Sequence, residues 1–169
     1  MRSSIASVVF LGSVLAACAD PAPTSPTASA RSVALQRSGT ARPLTGSCTV
    51  TFNPPPLPPP PVFHQVDQGT CLLSHLGATD FYGEQDINFA AGMQSGWRTL
   101  TAANGDELHT RHTGVSQPAG PGLVSFVAQM TIVGGTGRFA GASGTVRGVG
   151  LANLMTRTTT VTLDGTISY

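Results

Sequence analysis

The side chains able to ligate a metal or attack a carbonyl are few and poorly grouped. The 169-residue chain carries four histidines (His64, His75, His109 and His112) and three cysteines. It contains no Cys-x-x-Cys and no His-Glu-x-x-His. His109 and His112 are three positions apart, which on a strand puts them on opposite faces and denies them a shared ion. On these grounds no metal and no cofactor is expected. A nucleophilic serine has no better support, since Gly141-Ala142-Ser143-Gly144 is one residue short of Gly-x-Ser-x-Gly. Gly135-x-Gly137-x-x-x-Gly141 misses the dinucleotide-binding spacing by one residue, and no amphipathic helix follows it. The catalytic set is therefore unassigned.

Two side chains stand out as candidates for a ligand-facing position. Asn104-Gly105 is a strong hairpin signal between the β-patterned runs Trp97–Ala102 and Glu107–Gly114. A two-residue loop there pairs Ala103 with Asp106, Leu100 with His109, Arg98 with Arg111, and Trp97 with His112. Trp97, Thr99, Thr101, Leu108, Thr110 and His112 then share one face, and Arg98, Leu100, Ala102, Glu107, His109 and Arg111 the other. The more charged face must meet water. Trp97 and His112 are thus expected to look inward, either lining a ligand space or serving as ordinary core residues. Cys48 and Cys71 are either bridged or simply small buried residues on neighbouring strands.

The elements that would position these groups begin with a targeting segment. Arg2 precedes the apolar run Ile5–Leu15, which has the length of a signal-peptide core and is too short to span a membrane as a helix. Leu15-Ala16-Ala17-Cys18 resembles the bacterial lipobox. That resemblance implies a signal peptide over residues 1–17, lipid transfer to the Cys18 thiol, cleavage before it and acylation of the new amine. Two or three acyl chains would give stable membrane anchoring. Ala19 leans toward the outer membrane in a Gram-negative cell, although Asp20 confuses that signal. Residues 18–43 are Pro, Ser, Thr, Ala and Arg with almost no large apolar side chain, and read as a flexible tether. Removing Arg2 from the nine cations leaves eight against eight acids. A neutral mature chain has no field with which to attract nucleic acid.

Residues 44–169 suit one domain with one core. Scarce charge with abundant Gly and Thr favours strands over helices. Seven or eight strands are expected, at Ser47–Phe52, Gly69–Gly77, Thr79–Asn88 with a break near Gly83, Trp97–Ala102, Glu107–Gly114, Val124–Val133, Thr145–Leu151 and Thr158–Tyr169. Pro54–Pro61 cannot join a ladder, and reads as a polyproline strap over the surface or mouth.

Between the sixth and seventh strands lies Gly134-Gly135-Thr136-Gly137-Arg138-Phe139-Ala140-Gly141-Ala142-Ser143-Gly144. Its glycines imply a tight, shaped connection, and its lone aromatic, Phe139, an inward plug. The stretch resembles the segment before the last strands of the allene oxide cyclase and dirigent barrel superfamily. "TAANGDEL" and "LDGTISY" are similar to small secreted bacterial proteins with that barrel. The resemblance runs from about Thr45 to Tyr169 and implies a single eight-stranded antiparallel barrel. It carries fold rather than activity, and no position matches the cyclase's catalytic residues.

The expectation is a cell-envelope lipoprotein, anchored to the membrane through Cys18, whose all-β barrel binds a small apolar ligand or a partner. Two alternatives stand beside it. One is an isomerase, cyclase or dirigent-like protein steering an apolar substrate, which a lumenal carboxylate or tyrosine would favour. The other is a structural envelope protein with a filled barrel. Oligomeric state has no signature.

Overall fold

The computed structural model describes residues 39–169. The signal segment, Cys18 and the tether up to residue 38 lie outside the described residues. Eight strands follow one another: β1 Arg42–Phe52, β2 Val62–Leu73, β3 Gly77–Asn88, β4 Met93–Ala102, β5 Glu107–Gly120, β6 Leu123–Gly135, β7 Ser143–Asn153 and β8 Thr158–Ser168. Each pairs antiparallel with the next, and β8 closes on β1. The fold is a closed all-β barrel, so among the described residues no strand edge is left to template aggregation.

Period-two alternation explains the closure. In β1, Leu44, Cys48, Val50 and Phe52 are buried while Thr45, Ser47, Thr49 and Thr51 face out. In β8, Leu163 and Ile167 are buried while Thr160, Thr162, Asp164 and Thr166 face out. Branched threonine suits the pleated outer surface without adding an apolar patch there.

The two ends of the barrel differ. At the base lie the β2–β3, β4–β5 and β6–β7 connections and the ends of the first and last strands. Leu44, Leu108, Phe139 and Ile167 fill it, each all but inaccessible to solvent. Phe139 ends the 3-10 turn Gly137–Phe139 and meets Tyr169 edge-on at 5.1 Å. The glycine-rich connection is tied to the β4–β5 turn. The Thr136 amide donates to Glu107 O (2.8 Å), the Glu107 amide to Thr136 Oγ1 (2.9 Å), and the Arg138 amide to Asp106 Oδ2 (3.3 Å). Gly137 takes φ +52°, and a Cβ there would strike the Asp106 carboxylate, so both conformation and space demand glycine.

The other end, here the mouth, carries the β1–β2, β3–β4, β5–β6 and β7–β8 connections. The proline run forms the first of these, with Pro55 over the lumen, as expected of a strap.

Several boundaries differ from expectation. β1 begins at Arg42, paired with Ile167, so the barrel takes up the last two residues assigned to the tether. β2 runs from Val62 to Leu73 rather than from Gly69 to Gly77, because Ser74–Leu76 turn back under the base. His75 occupies that turn at φ +67° and donates from Nε2 to Pro43 O at 3.0 Å. β3 does not break at Gly83, which pairs with Asp67 on one side and Arg98 on the other. A Cβ there would stand 2.9 Å from Arg98 Cγ, so this glycine makes room for a side chain rather than ending a strand. Cys48 and Cys71 are register partners on β1 and β2, and their sulfurs are bonded to one another.

Candidate functional site

The β4–β5 turn decides what enters the lumen. The Ala102 amide donates to Asp106 O (2.9 Å) and the Gly105 amide to Ala102 O (2.8 Å), which leaves three residues in the loop. Gly105 takes the left-handed conformation at φ +85°. This is the three-residue hairpin with a left-handed glycine, one residue longer than the two-residue turn that Asn-Gly suggests. The register is therefore Leu100 with Leu108, Arg98 with Thr110, Trp97 with Arg111, and Gly96 with His112.

One added residue turns β4 over and leaves β5 as expected. His112 is buried in the lumen alongside Leu108 and Thr110. Trp97, expected inside, is 39% exposed on the outer wall and packs on Tyr82 with ring centroids 5.5 Å apart. Arg98, expected outside, points inward and is 8% exposed. Leu100 and Ala102 accompany it into the core.

Above the filled base the lumen opens into a cavity of about 250 Å3 that reaches the mouth. Its two sides are chemically unlike. Val50, Ala128, Met130, Val161 and Leu163 make an apolar wall from β1, β6 and β8, widened by Gly148 on β7. Gln65, Asp67, Gln85, Gln94, Arg98 and Thr110 line the side formed by β2 to β5. Phe52, Phe89, Phe126 and Leu154 stand around the opening.

The polar side is partly knitted together. Asp67 accepts from Gln65 Nε2 at 2.7 Å through one oxygen and from Gln85 Nε2 at 2.8 Å through the other. Gln85 then accepts at Oε1 from His112 Nε2 at 3.1 Å. This chain fixes the amide orientations and the imidazole tautomer, leaving His112 Nδ1 as a lone-pair acceptor. Burial, assisted by the positive charge of Arg98, lowers the His112 pKa to about 3, so the ring is neutral. Burial also raises the Asp67 carboxyl above its ordinary value, against the pull of the two glutamines and Arg98. Arg98 falls to about 10 for the same reason and stays charged.

Other groups in this region lack partners. Gln94 Nε2, Thr110 Oγ1 and His112 Nδ1 are buried without a hydrogen bond among the described residues. The Arg98 guanidinium stands 5.7 Å over the Phe81 ring, and the Asp67 carboxylate favours its charged form.

The remaining histidines lie elsewhere. His64 is on the outer wall, with Nδ1 3.0 Å from Asp86 and Nε2 3.4 Å from Glu84, and the Asp86 hydrogen bond leads in raising its pKa. His109 faces out and donates from Nε2 to Glu107 at 3.0 Å. Among the described residues no three metal-ligating side chains are gathered.

The sequence reading missed Asp67, Gln65 and Gln85 by starting β2 too late and by taking Gly83 for a break. A usable signal was present. Gln65 and Asp67 share parity with Cys71 and Leu73, and Arg98 with Leu100 and Ala102, so the apolar partners mark the polar ones as inward.

No family model, no curated protein and no solved structure matches this chain.

Proposed function

We propose that the barrel is a binding module for a small, mostly apolar molecule held in its lumen. One observation carries the reading: the base is packed solid, whereas the mouth half holds a cavity of about 250 Å3. A filled structural barrel would place large side chains at inward positions where this chain has Ala128, Gly148 and Ala152. Ligand sites run from about 300 to 1,000 Å3, so the occupant is small. An apolar wall facing a few convergent polar groups is the usual composition of such a site.

In this reading the lipobox-like Leu15–Cys18 places the barrel at the cell envelope on a lipid anchor. Mass spectrometry of the mature N-terminus is expected to find acyl mass on Cys18. Cleavage elsewhere would remove that part of the reading.

An NMR titration with octan-1-ol tests the binding itself. Saturable shifts are expected at the methyls of Ala128, Met130 and Val161. Shifts confined to the outer wall would exclude lumenal binding.

A second reading has one observation in its favour, since Asp67 is a carboxylate beside the cavity. An isomerase or cyclase would use such a group on an apolar substrate. In that case Asp67→Asn would abolish turnover and leave octanol binding intact.

A further inference from the structure

We infer that the mouth of the barrel docks on a lipid bilayer, with its connections and the adjoining outer wall of β4 to β7 seated among the headgroups and upper acyl chains. This contact goes beyond the lumenal-binding reading and holds whether or not the lumen is occupied.

Charge is sorted along the barrel axis. The mouth connections are residues 53–61, 89–92, 121–122 and 154–157, and Arg157 is the one ionisable side chain among them. The base connections carry His75, Asp106 and Arg138, with Arg42, Asp80 and Glu107 beside them. Large apolar side chains stand out from the rim instead. Leu57 is 92% exposed and Met155 83%, and Phe89 and Leu154 are each 47% exposed.

The apolar rim continues down one wall. Met93, Val115, Val127 and Val149 are register partners across β4, β5, β6 and β7, so they form one outward row. All four are exposed, and Leu151 lies just above Val149 toward the mouth. The next outward row toward the base is Ser95, Thr113, Gln129 and Arg147, all polar. On the opposite wall His64, Glu84 and Asp86 meet one another close to the rim. An apolar border one row deep on one side, and absent on the other, sets a tilt as well as a depth.

Contiguous exposed apolar surface marks a contact with protein or membrane, and three features favour the membrane. The most exposed tips project from separate connections, Leu57 from β1–β2 and Met155 from β7–β8, and a fluid layer receives projecting tips without a matching surface. The rim connections offer lipid phosphates no carboxylate to repel and one cation to accept. Successive outward rows on a strand are about 6.6 Å apart, so the rim and one row fit the roughly 5–10 Å that interfacial elements enter, far short of the ~25 Å band of a spanning barrel.

The lipid-anchor reading is compatible with this orientation. The tether joins the barrel at its base, at Arg42. Residues 19–41, fully extended, would reach about 80 Å, whereas the longest strand, β5 with 14 residues, spans about 46 Å. An anchored barrel can therefore turn its mouth to the membrane that holds it.

Methyl NMR of the full-length chain with phosphatidylcholine bicelles, spin-labelled on the acyl chain, tests the contact site by site. Broadening is expected at the methyls of Leu57, Met93 and Met155 and not at Leu72, which is 68% exposed at the base. The pattern is expected to persist between about 0.05 and 0.5 M salt, because one arginine supplies little charge to screen. Leu57→Asp with Met155→Asp is expected to abolish broadening at Met93 while thermal melting stays native, and broadening that survives would overturn the docking. Octan-1-ol binding by that variant is expected to persist, since neither side chain lines the cavity, which separates failure here from failure of the lumenal reading. Broadening strongest at Leu72, or none at the three mouth methyls, would overturn the docking. Broadening lost at high salt would overturn the apolar rim as its cause in favour of headgroup charge. Mouth methyls that shift with protein concentration and ignore the bicelles would overturn it in favour of a second copy.

Discussion

His112 and Phe139 show how differently two buried side chains in one lumen can act. Phe139 is a plug, wholly buried at the base against Tyr169 and flanked by residues too small to fill its place. Phe139→Ala is expected to cost about 3–5 kcal/mol in denaturant melts. A loss under about 1 kcal/mol would mean that the glycine-rich connection does not depend on it. His112 is instead a source of acid sensitivity. Its folded pKa is near 3, against an ordinary value of 6.5. Above 6.5 the ring is neutral in both states and nothing is lost. As pH falls below 6.5 the unfolded chain takes up a proton that the fold refuses, so stability declines until the folded pKa is reached. The full decline is roughly 3–5 kcal/mol. His64 has the opposite sign, since its raised pKa favours the fold at low pH. So does Asp67, whose raised carboxyl contributes stability that is lost as pH rises. The comparison to make is therefore between native protein and His112→Gln, which keeps an amide donor for Gln85. The variant is expected to lose less stability between pH 7 and pH 4, and parallel curves would show that His112 is hydrated.

At the scale of elements, alternation and turn residues were enough to read seven or eight strands and the shaped connection around Phe139, while the closed antiparallel barrel was expected from the resemblance carried by Gly134–Gly144. The inner face of β4 was not legible from Asn104-Gly105. A two-residue and a three-residue loop both accommodate that pair, and they differ by one in register. Preferring the longer loop meant giving weight to Leu100 and Ala102 over the wish to keep Arg98 in water. That preference fails where a charge is buried for a purpose, which is where local rules are most often broken. β2 was lost differently, because the proline run hid the start of a strand whose polar residues turn inward. The β1–β2 pair also carries the disulfide between Cys48 and Cys71, which are 23 positions apart. Closing a loop of that length contributes about 3 kcal/mol in the chain-entropy model. Replacing both cysteines by alanine is expected to lower stability by about that amount, and unfolded, unreduced protein should show no thiol at either position. Two reactive thiols there would refute the bridge.

At the scale of the whole molecule, the barrel is solid at the base and hollow toward the mouth. Packing at the base comes from the branched and aromatic residues Leu44, Leu108, Phe139 and Ile167. The hollow comes from small residues at inward positions of β6 and β7, notably Ala128, flanked in the register by Gly114 and Gly148. Folding alone gives no reason to leave that space empty, since filling a void commonly adds about 0.5–2 kcal/mol. An open lumen is thus the central claim, and Ala128→Phe tests it most directly, read by thermal melting and by calorimetric titration with octan-1-ol. The variant is expected to melt at or above the native temperature and to lose octan-1-ol binding. A variant destabilised by about 1–3 kcal/mol, as in an overpacked core, or one that binds octan-1-ol as the native protein does, would contradict the open lumen.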